Sequence, residues 1–153
     1  MELTYGRYLK VEELLQLQQP LSEGPEHDEM LFIIIHQVYE LWFKQILHEL
    51  EKLKSSFQEG ERGKALHTLK RIRSILKVLV SQVDVLETMT PLEFLSFRER
   101  LQSASGYQSS QFRELEFTLG LKKPKHLGTI PKEARKETVL EKKWRNLLYG
   151  RFS

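Results

Sequence analysis

Residues 31–50 read LFIIIHQVYELWFKQILHEL, the most apolar run of the chain, with one histidine, His36, set inside its first half. Apolar residues recur there at helical spacing, and neither Gly nor Pro interrupts them, so the run reads as helix. Pro25, Glu26, Asp28 and Glu29 stand just ahead of it, and acidic residues suit the positive end of a helix. The pattern runs from about His27 to about Phe57, roughly 45 Å at the rise of an α-helix. On such a helix Phe32, His36, Glu40 and Phe43 fall on one side, because residues four and seven apart share a face. Two rings and an imidazole along one face make either a core or a pocket wall. A lone histidine in that setting is ordinarily a core residue whose nitrogens find hydrogen-bond partners; the sharper reading is a functional group.

On the N-terminal side, Tyr5, Tyr8 and Leu9 precede a short helical pattern, Val11 to Gln19, that offers Leu14, Leu15 and Leu17 for burial. Pro20 is expected to end it, since an interior proline removes a donor and clashes. On the C-terminal side, Glu59, Gly60, Glu61 and Gly63 make a turn. A second long helix is expected over Lys64 to Leu86, with Leu66, Leu69, Ile72, Ile75, Leu76, Leu79, Val80 and Val83 as its apolar stripe. Lys70, Arg71, Arg73 and Lys77 read as its solvated face. Thr90, Pro91 and Glu93 form the clearest helix start, a cap, a first-position proline and a capping box; that helix runs to about Leu101. Ser103 to Gly106 interrupt the pattern with small residues. A helix follows over about Gln108 to Leu119, stopped by Gly120. Residues 121–130 read as basic loop, and Pro131 opens a last amphipathic helix with Val139, Leu140, Trp144, Leu147 and Leu148. No strand pattern and no internal repeat is found. The expected fold is all-α, an antiparallel helical bundle built around one long helix.

The chain has 153 residues, 40% hydrophobic and 29% charged, which suits one domain with a real core. With no cysteine, disulfides, zinc fingers and thiolate chemistry are excluded. No signal peptide is visible in MELTYGRYLKVEELLQ. The run 31–50 carries His36, Glu40, Lys44, His48 and Glu49, too many polar groups for a membrane span, so a cytoplasmic protein is expected. The net charge of +3 hides an asymmetry: residues 1–60 hold 5 Lys or Arg against 11 Asp or Glu, and residues 121–153 hold 10 against 3. No nucleic-acid motif accompanies the basic tail, so it reads as a solvated helix face or a surface for an acidic partner.

Phosphate-binding glycine loops and nucleophile elbows are absent. His36 with Glu40, or His27 with Asp28, could each give two metal ligands, but the paired Glu-x-x-His motifs of a di-iron bundle do not occur, and no metal site is expected from protein ligands alone. Residues 103–117, SASGYQSSQFRELEF, are the second constellation. Small residues precede a helix start, where backbone N–H groups favour an anion. One turn in stands Arg113, beside Phe112. Its guanidinium could grip a carboxylate through parallel hydrogen bonds, or simply pair with Glu114 or Glu116.

Four segments, TYGRYLKVEELLQLQQPLS, HDEMLFIIIHQVYELWFKQILHEL, LETMTPLEF and SASGYQSSQFRELEFTLG, follow one another in the order and spacing of the tryptophan 2,3-dioxygenases. The resemblance covers residues 4 to about 120, the N-terminal portion of that family. It implies an all-helical enzyme with haem b that inserts both atoms of O₂ into the indole ring of L-tryptophan. The product is N-formylkynurenine, the first intermediate of the kynurenine pathway, and the enzymes are cytosolic homotetramers.

Carried over position by position, the resemblance makes His36 the distal histidine that faces the haem and hydrogen-bonds the indole N–H. Phe32 matches the aromatic residue packed on the indole, and Arg113 the partner of the substrate carboxylate. Tyr5, Tyr8 and Leu9 match the segment that reaches into a neighbouring subunit's pocket. Ser105 and Gly106 match the small residues at the haem edge. The family's proximal histidine and its Gly- and Thr-rich closing loop belong to a later region, and His27, His48, His67 and His126 match no ligand position, so the proximal ligand is not expected in these 153 residues. Residues 121–153 match more loosely. Two readings stand: a tryptophan 2,3-dioxygenase holding the substrate side of the pocket, or an inactive, shortened relative that serves as a tryptophan- or haem-binding or oligomerisation module.

Overall fold

In the computed structural model, residues 3–102, 104 and 108–121 are described. The expected last helix, His126, Ser105 and Gly106 lie outside them. Six α-helices and one 3₁₀ turn are found among the described residues, with no strand: α1 Tyr5–Leu9, α2 Val11–Leu14, α3 His27–Gln58, α4 Arg62–Leu86, α5 Pro91–Arg98, the 3₁₀ turn Glu99–Leu101, and α6 Ser110–Thr118. The chain is all-α, as the periodicity predicts. No helix among the described residues is long and apolar enough to cross a membrane.

The described residues fall into two compact units, one within Met1–Tyr39 and Leu76–Ser103, the other within Glu40–Ile75 and Ala104–Ser153. The second unit is a helical hairpin with α6 added. Phe43, Ile46, Leu50 and Leu53 of α3 are buried, as are Ala65, Ile72 and Ile75 of α4. Their spacings of three and four draw one stripe along each helix, and full burial of each large side chain is worth about 1.5–3 kcal/mol. The turn between them is three residues long. Gly60 sits at φ 72°, where a Cβ would be strained, and its N–H and that of Glu61 bond the Phe57 and Ser56 carbonyls at 3.2 and 2.9 Å. A link that short makes the two helices antiparallel. Arg71 does not lie on a merely solvated face: its guanidinium bonds the buried Glu49 carboxylate at 3.0 Å. Gln45 donates to the same carboxylate at 2.7 Å.

In the first unit, Ile35, Leu79 and Phe97 are buried, and the half-buried Tyr39 hydroxyl donates to the Leu79 carbonyl at 2.8 Å. Burial pushes the Tyr39 phenol up from its ordinary value. The N-terminal segment departs from expectation. The expected helix over Val11 to Gln19 is present only as the four residues of α2, and α1 precedes it as an additional helix, closed by Lys10, which adopts the left-handed φ of 51° and donates to the Gly6 carbonyl. α2 ends at Leu14, well before Pro20, and Leu14, Leu15 and Leu17 are exposed. The reason is a set of side-chain bonds from α3 that hold residues 17–22 out of helix. Gln37 donates to the Leu17 carbonyl at 3.0 Å and accepts from Gln18 at 2.6 Å. Glu29, buried, accepts from the Leu21 N–H at 2.7 Å, the Ser22 N–H at 3.0 Å and the Ser22 hydroxyl. On α4, Ile72, Ile75 and Leu79 of the expected stripe are buried, whereas Leu66, Leu69, Val80 and Val83 are exposed.

Candidate functional site

His36 is built into an aromatic cluster of the first unit. Its ring centroid lies 4.1 Å from that of Phe32, one turn earlier on α3. Phe32 in turn meets Phe94 at 5.7 Å and Phe97 at 5.6 Å, and Phe94 and Phe97 stand edge to face at 5.5 Å. These separations are those of favourable aromatic pairs. Both phenylalanines ride on α5, whose start is fixed as the sequence reads. The Thr90 side chain accepts from the Glu93 N–H, the Glu93 carboxylate accepts from the Thr90 N–H at 2.6 Å, and Pro91 occupies the first turn. Those bonds hold the Glu93 carboxyl below its ordinary value. Spacing of three puts Phe94 and Phe97 on one face of α5. The pair carries no motif of its own; its signal in the sequence is two phenylalanines three apart behind a capping box.

The imidazole is also oriented. His36 Nδ1 lies 2.7 Å from the Phe32 carbonyl oxygen. A carbonyl only accepts, so Nδ1 carries the hydrogen and donates it. In the neutral ring Nε2 then keeps its lone pair, and the described residues give it no hydrogen bond. His36 is half-buried, and its ring stands beside the Phe32, Phe94 and Phe97 rings.

Arg113 belongs to the second unit. It is 8% exposed, its Nη1 donates to Glu116 at 2.5 Å, and its guanidinium carbon sits 4.8 Å over the Phe112 ring. The expected pairing with Glu116 is therefore real, and burial with stacking on an aromatic face accompanies it. Ser109 caps α6, accepting from the Phe112 N–H at 3.1 Å. At the other end Gly120, at φ 106°, and Leu121 bond the Phe117 and Glu116 carbonyls at 3.1 and 2.8 Å, a Schellman stop.

Tyr5, Tyr8 and Leu9 make up most of α1 and point outward, 78%, 71% and 46% exposed. Beside them an open hollow of about 330 Å³ is lined by Gly6, Arg7, Lys10, Glu12 and Glu13. The structure thus brings Phe32 and His36 into contact and leaves the α1 aromatics without burial. Among the described residues no three His, Asp or Glu side chains gather as a metal site. Haem needs a flat apolar surface and an axial donor. The aromatic wall and the open Nε2 of His36 fit one side of such a group.

A family model described as tryptophan 2,3-dioxygenase matches residues 1–149. A tryptophan 2,3-dioxygenase of Herpetosiphon aurantiacus is 59% identical over 138 residues, covering 88% of this chain and 53% of that protein. One from Anaeromyxobacter sp. (strain K) is 59% identical over 129 residues, covering 84% and 48%, and one from Nocardioides sp. is 57% identical over 140 residues, covering 86% and 52%. The chain spans about half the length of these curated relatives.

Proposed function

Because the chain belongs to the tryptophan 2,3-dioxygenase family, we propose that it forms the substrate-facing part of a haem-dependent dioxygenase that opens the indole ring of L-tryptophan. Both atoms of one O₂ end in N-formylkynurenine, so no outside reductant is consumed. Haem b, when bound, would supply the iron chemistry toward O₂; by resemblance Ser105 and Gly106 would help hold it, and its proximal ligand would come from outside these residues.

The work of this chain is binding and orientation. His36 Nε2 accepts the indole N–H, Phe32 packs on the indole face, and the Arg113 guanidinium holds the substrate carboxylate. Tyr5, Tyr8 and Leu9 of the exposed α1 complete the pocket of a neighbouring copy in a cytoplasmic homotetramer, which buries side chains that are otherwise costly to leave in water. What carries this reading is the bond from His36 Nδ1 to the Phe32 carbonyl. It fixes the tautomer that can accept an N–H, the one polar hydrogen an indole offers.

The test compares L-tryptophan with N1-methyl-L-tryptophan, which lacks that hydrogen. The haemin-supplied enzyme, this chain together with the region that carries the proximal ligand, is expected to develop a Soret band, to form N-formylkynurenine and to bind L-tryptophan about tenfold more tightly, one hydrogen bond's worth of discrimination. His36→Ala should bring the two ligands to within about twofold while leaving the Soret band in place. A preference that survives the substitution would remove His36 from the site; loss of the Soret band would make it an axial ligand instead.

A further inference from the structure

α6 spans only Ser110–Thr118, and nine residues do not hold a helix by themselves in water. The aim of Arg113 therefore depends on what docks α6. Two neighbouring side chains do this. Gln111 Nε2 lies 3.0 Å from the Glu40 carbonyl oxygen and 2.7 Å from Glu40 Oε2. Phe112 meets Phe43 at 5.2 Å, one turn further along α3. Both partners of Gln111 are acceptors, so the amide must present its nitrogen, with each of its two hydrogens committed to one residue. An aromatic contact is tolerant of sliding, whereas a forked hydrogen bond to backbone and side chain of one residue is directional. The ring that Gln111's neighbour Phe112 presses on Phe43 is also the ring that carries the Arg113 guanidinium.

We propose that Gln111 is a positioning residue, whose amide grips Glu40 to fix the rotation of α6 and so aims Arg113 at the carboxylate of an amino-acid substrate. The inference rests on the reading of Arg113 given above, and it adds a residue that touches no ligand. Losing the fork lets α6 turn about the Phe112–Phe43 contact. The carboxylate grip then suffers while the indole end does not.

The test measures calorimetric binding of L-tryptophan and of tryptamine, which lacks the carboxylate, to the haemin-supplied enzyme that includes the proximal-ligand region, with Arg113→Ala as reference. Gln111→Ala is expected to weaken L-tryptophan about tenfold, a shift of about 1.4 kcal/mol, and tryptamine by less than about twofold. Equal losses for both ligands, tracking a fall in melting temperature, would reduce Gln111 to a structural contact and overturn the proposal. If Gln111→Ala loses its helical circular dichroism, Gln111→Met decides, since it keeps the length and helix propensity of the side chain and has no hydrogen to donate to the Glu40 oxygens. Loss of the L-tryptophan selectivity in a folded Gln111→Met supports the proposal, and full selectivity there overturns it. Selectivity lost in Arg113→Ala but kept in Gln111→Ala defeats the positioning role alone. Selectivity kept in Arg113→Ala, or no binding of either ligand by the unsubstituted enzyme, defeats the reading of Arg113 and this inference with it.

Discussion

Glu29→Gln is the substitution on which the N-terminal segment's architecture can be judged. The Glu29 carboxylate is buried and accepts from three donors: the Leu21 N–H on one oxygen, and the Ser22 N–H and hydroxyl on the other. The Ser22 hydroxyl is itself placed by accepting from the Glu26 N–H at 2.9 Å. Glutamine keeps the shape but only one acceptor. If its carbonyl stays on Leu21, its amide nitrogen faces the Ser22 N–H, donor against donor. The opposite orientation strands the Leu21 N–H. Either way one part-buried backbone N–H loses its acceptor, at about 1–3 kcal/mol, and the surviving bonds lose the help of the charge. The sum is about 2–4 kcal/mol at pH 7.

The same geometry sets a pH dependence. Burial alone would push the Glu29 carboxyl up. The Ser22 hydroxyl, the Leu21 and Ser22 N–H groups and the Arg100 charge outweigh it, so the net direction is down. A lowered folded value means that the unfolded chain holds the proton more tightly. The stabilisation is complete above the unfolded value of about 4.3 and is lost as pH falls through the folded one. Urea unfolding followed by circular dichroism at pH 7 and pH 3 measures both effects. The gap between wild type and Glu29→Gln should be wide at pH 7 and narrow at pH 3. A gap below about 0.5 kcal/mol at pH 7, the range of an inconsequential surface change, or a gap unchanged with pH, would refute the clamp.

Two further outcomes test the packing. Phe97 is fully buried against Phe32 and Phe94, so Phe97→Ala should lose about 3–5 kcal/mol of stability in thermal unfolding and Phe97→Leu distinctly less; equal losses would mean that the rings do not pack as a cluster. Ser56 is fully buried, and its hydroxyl has no hydrogen bond among the described residues. Ser56→Ala should therefore leave stability unchanged or raise it by up to about 1 kcal/mol, and a drop of that size in chemical denaturation would reveal a partner for the hydroxyl.

How much of this was legible depended on the range of the interaction. The long helix α3 was written in its periodicity, and its observed span, His27–Gln58, ends one residue beyond the expected limit. The start of α5 was legible because a capping box is complete within four residues. Glu29 shows the opposite case. Its place at a helix start has an adequate local explanation in the helix dipole, which hides its bonds to residues seven and eight positions back. Arg71 is a milder case of the same kind: it is exposed, as a cation off the apolar stripe should be, and its bond to Glu49, 22 residues away, has no local sign. The apolar stripe of α4 told which residues share a face but not which of them a neighbour covers, so Ile72 and Val80 looked alike while one is buried and the other 72% exposed. Phe32, His36 and Arg113 stand out in the residues themselves, whereas their particular roles, like those of Tyr5 and Tyr8, come from the resemblance. Gln111 has no motif, and only the docking of α6 reveals it.

The histidines themselves show why a ring nitrogen, rather than a residue type, is the unit to follow. His67 faces the Arg71 guanidinium through Nε2 at 3.2 Å. A guanidinium only donates, so His67 must accept there, and its lone pair is spent on the protein's own helix. His36 does the reverse. Its N–H goes to a carbonyl four residues back on the same helix, an oxygen with a second lone pair to offer beside its main-chain bond. The fold thereby uses the donor of His36 and leaves the acceptor without a protein partner among the described residues, beside a half-buried aromatic cluster. A histidine serving the core alone would be expected to use both nitrogens on the protein, as buried polar groups do. That free lone pair is what the proposed role of His36 calls on: an indole N–H would bring the hydrogen, and Phe32 could cover the apolar ring beside it.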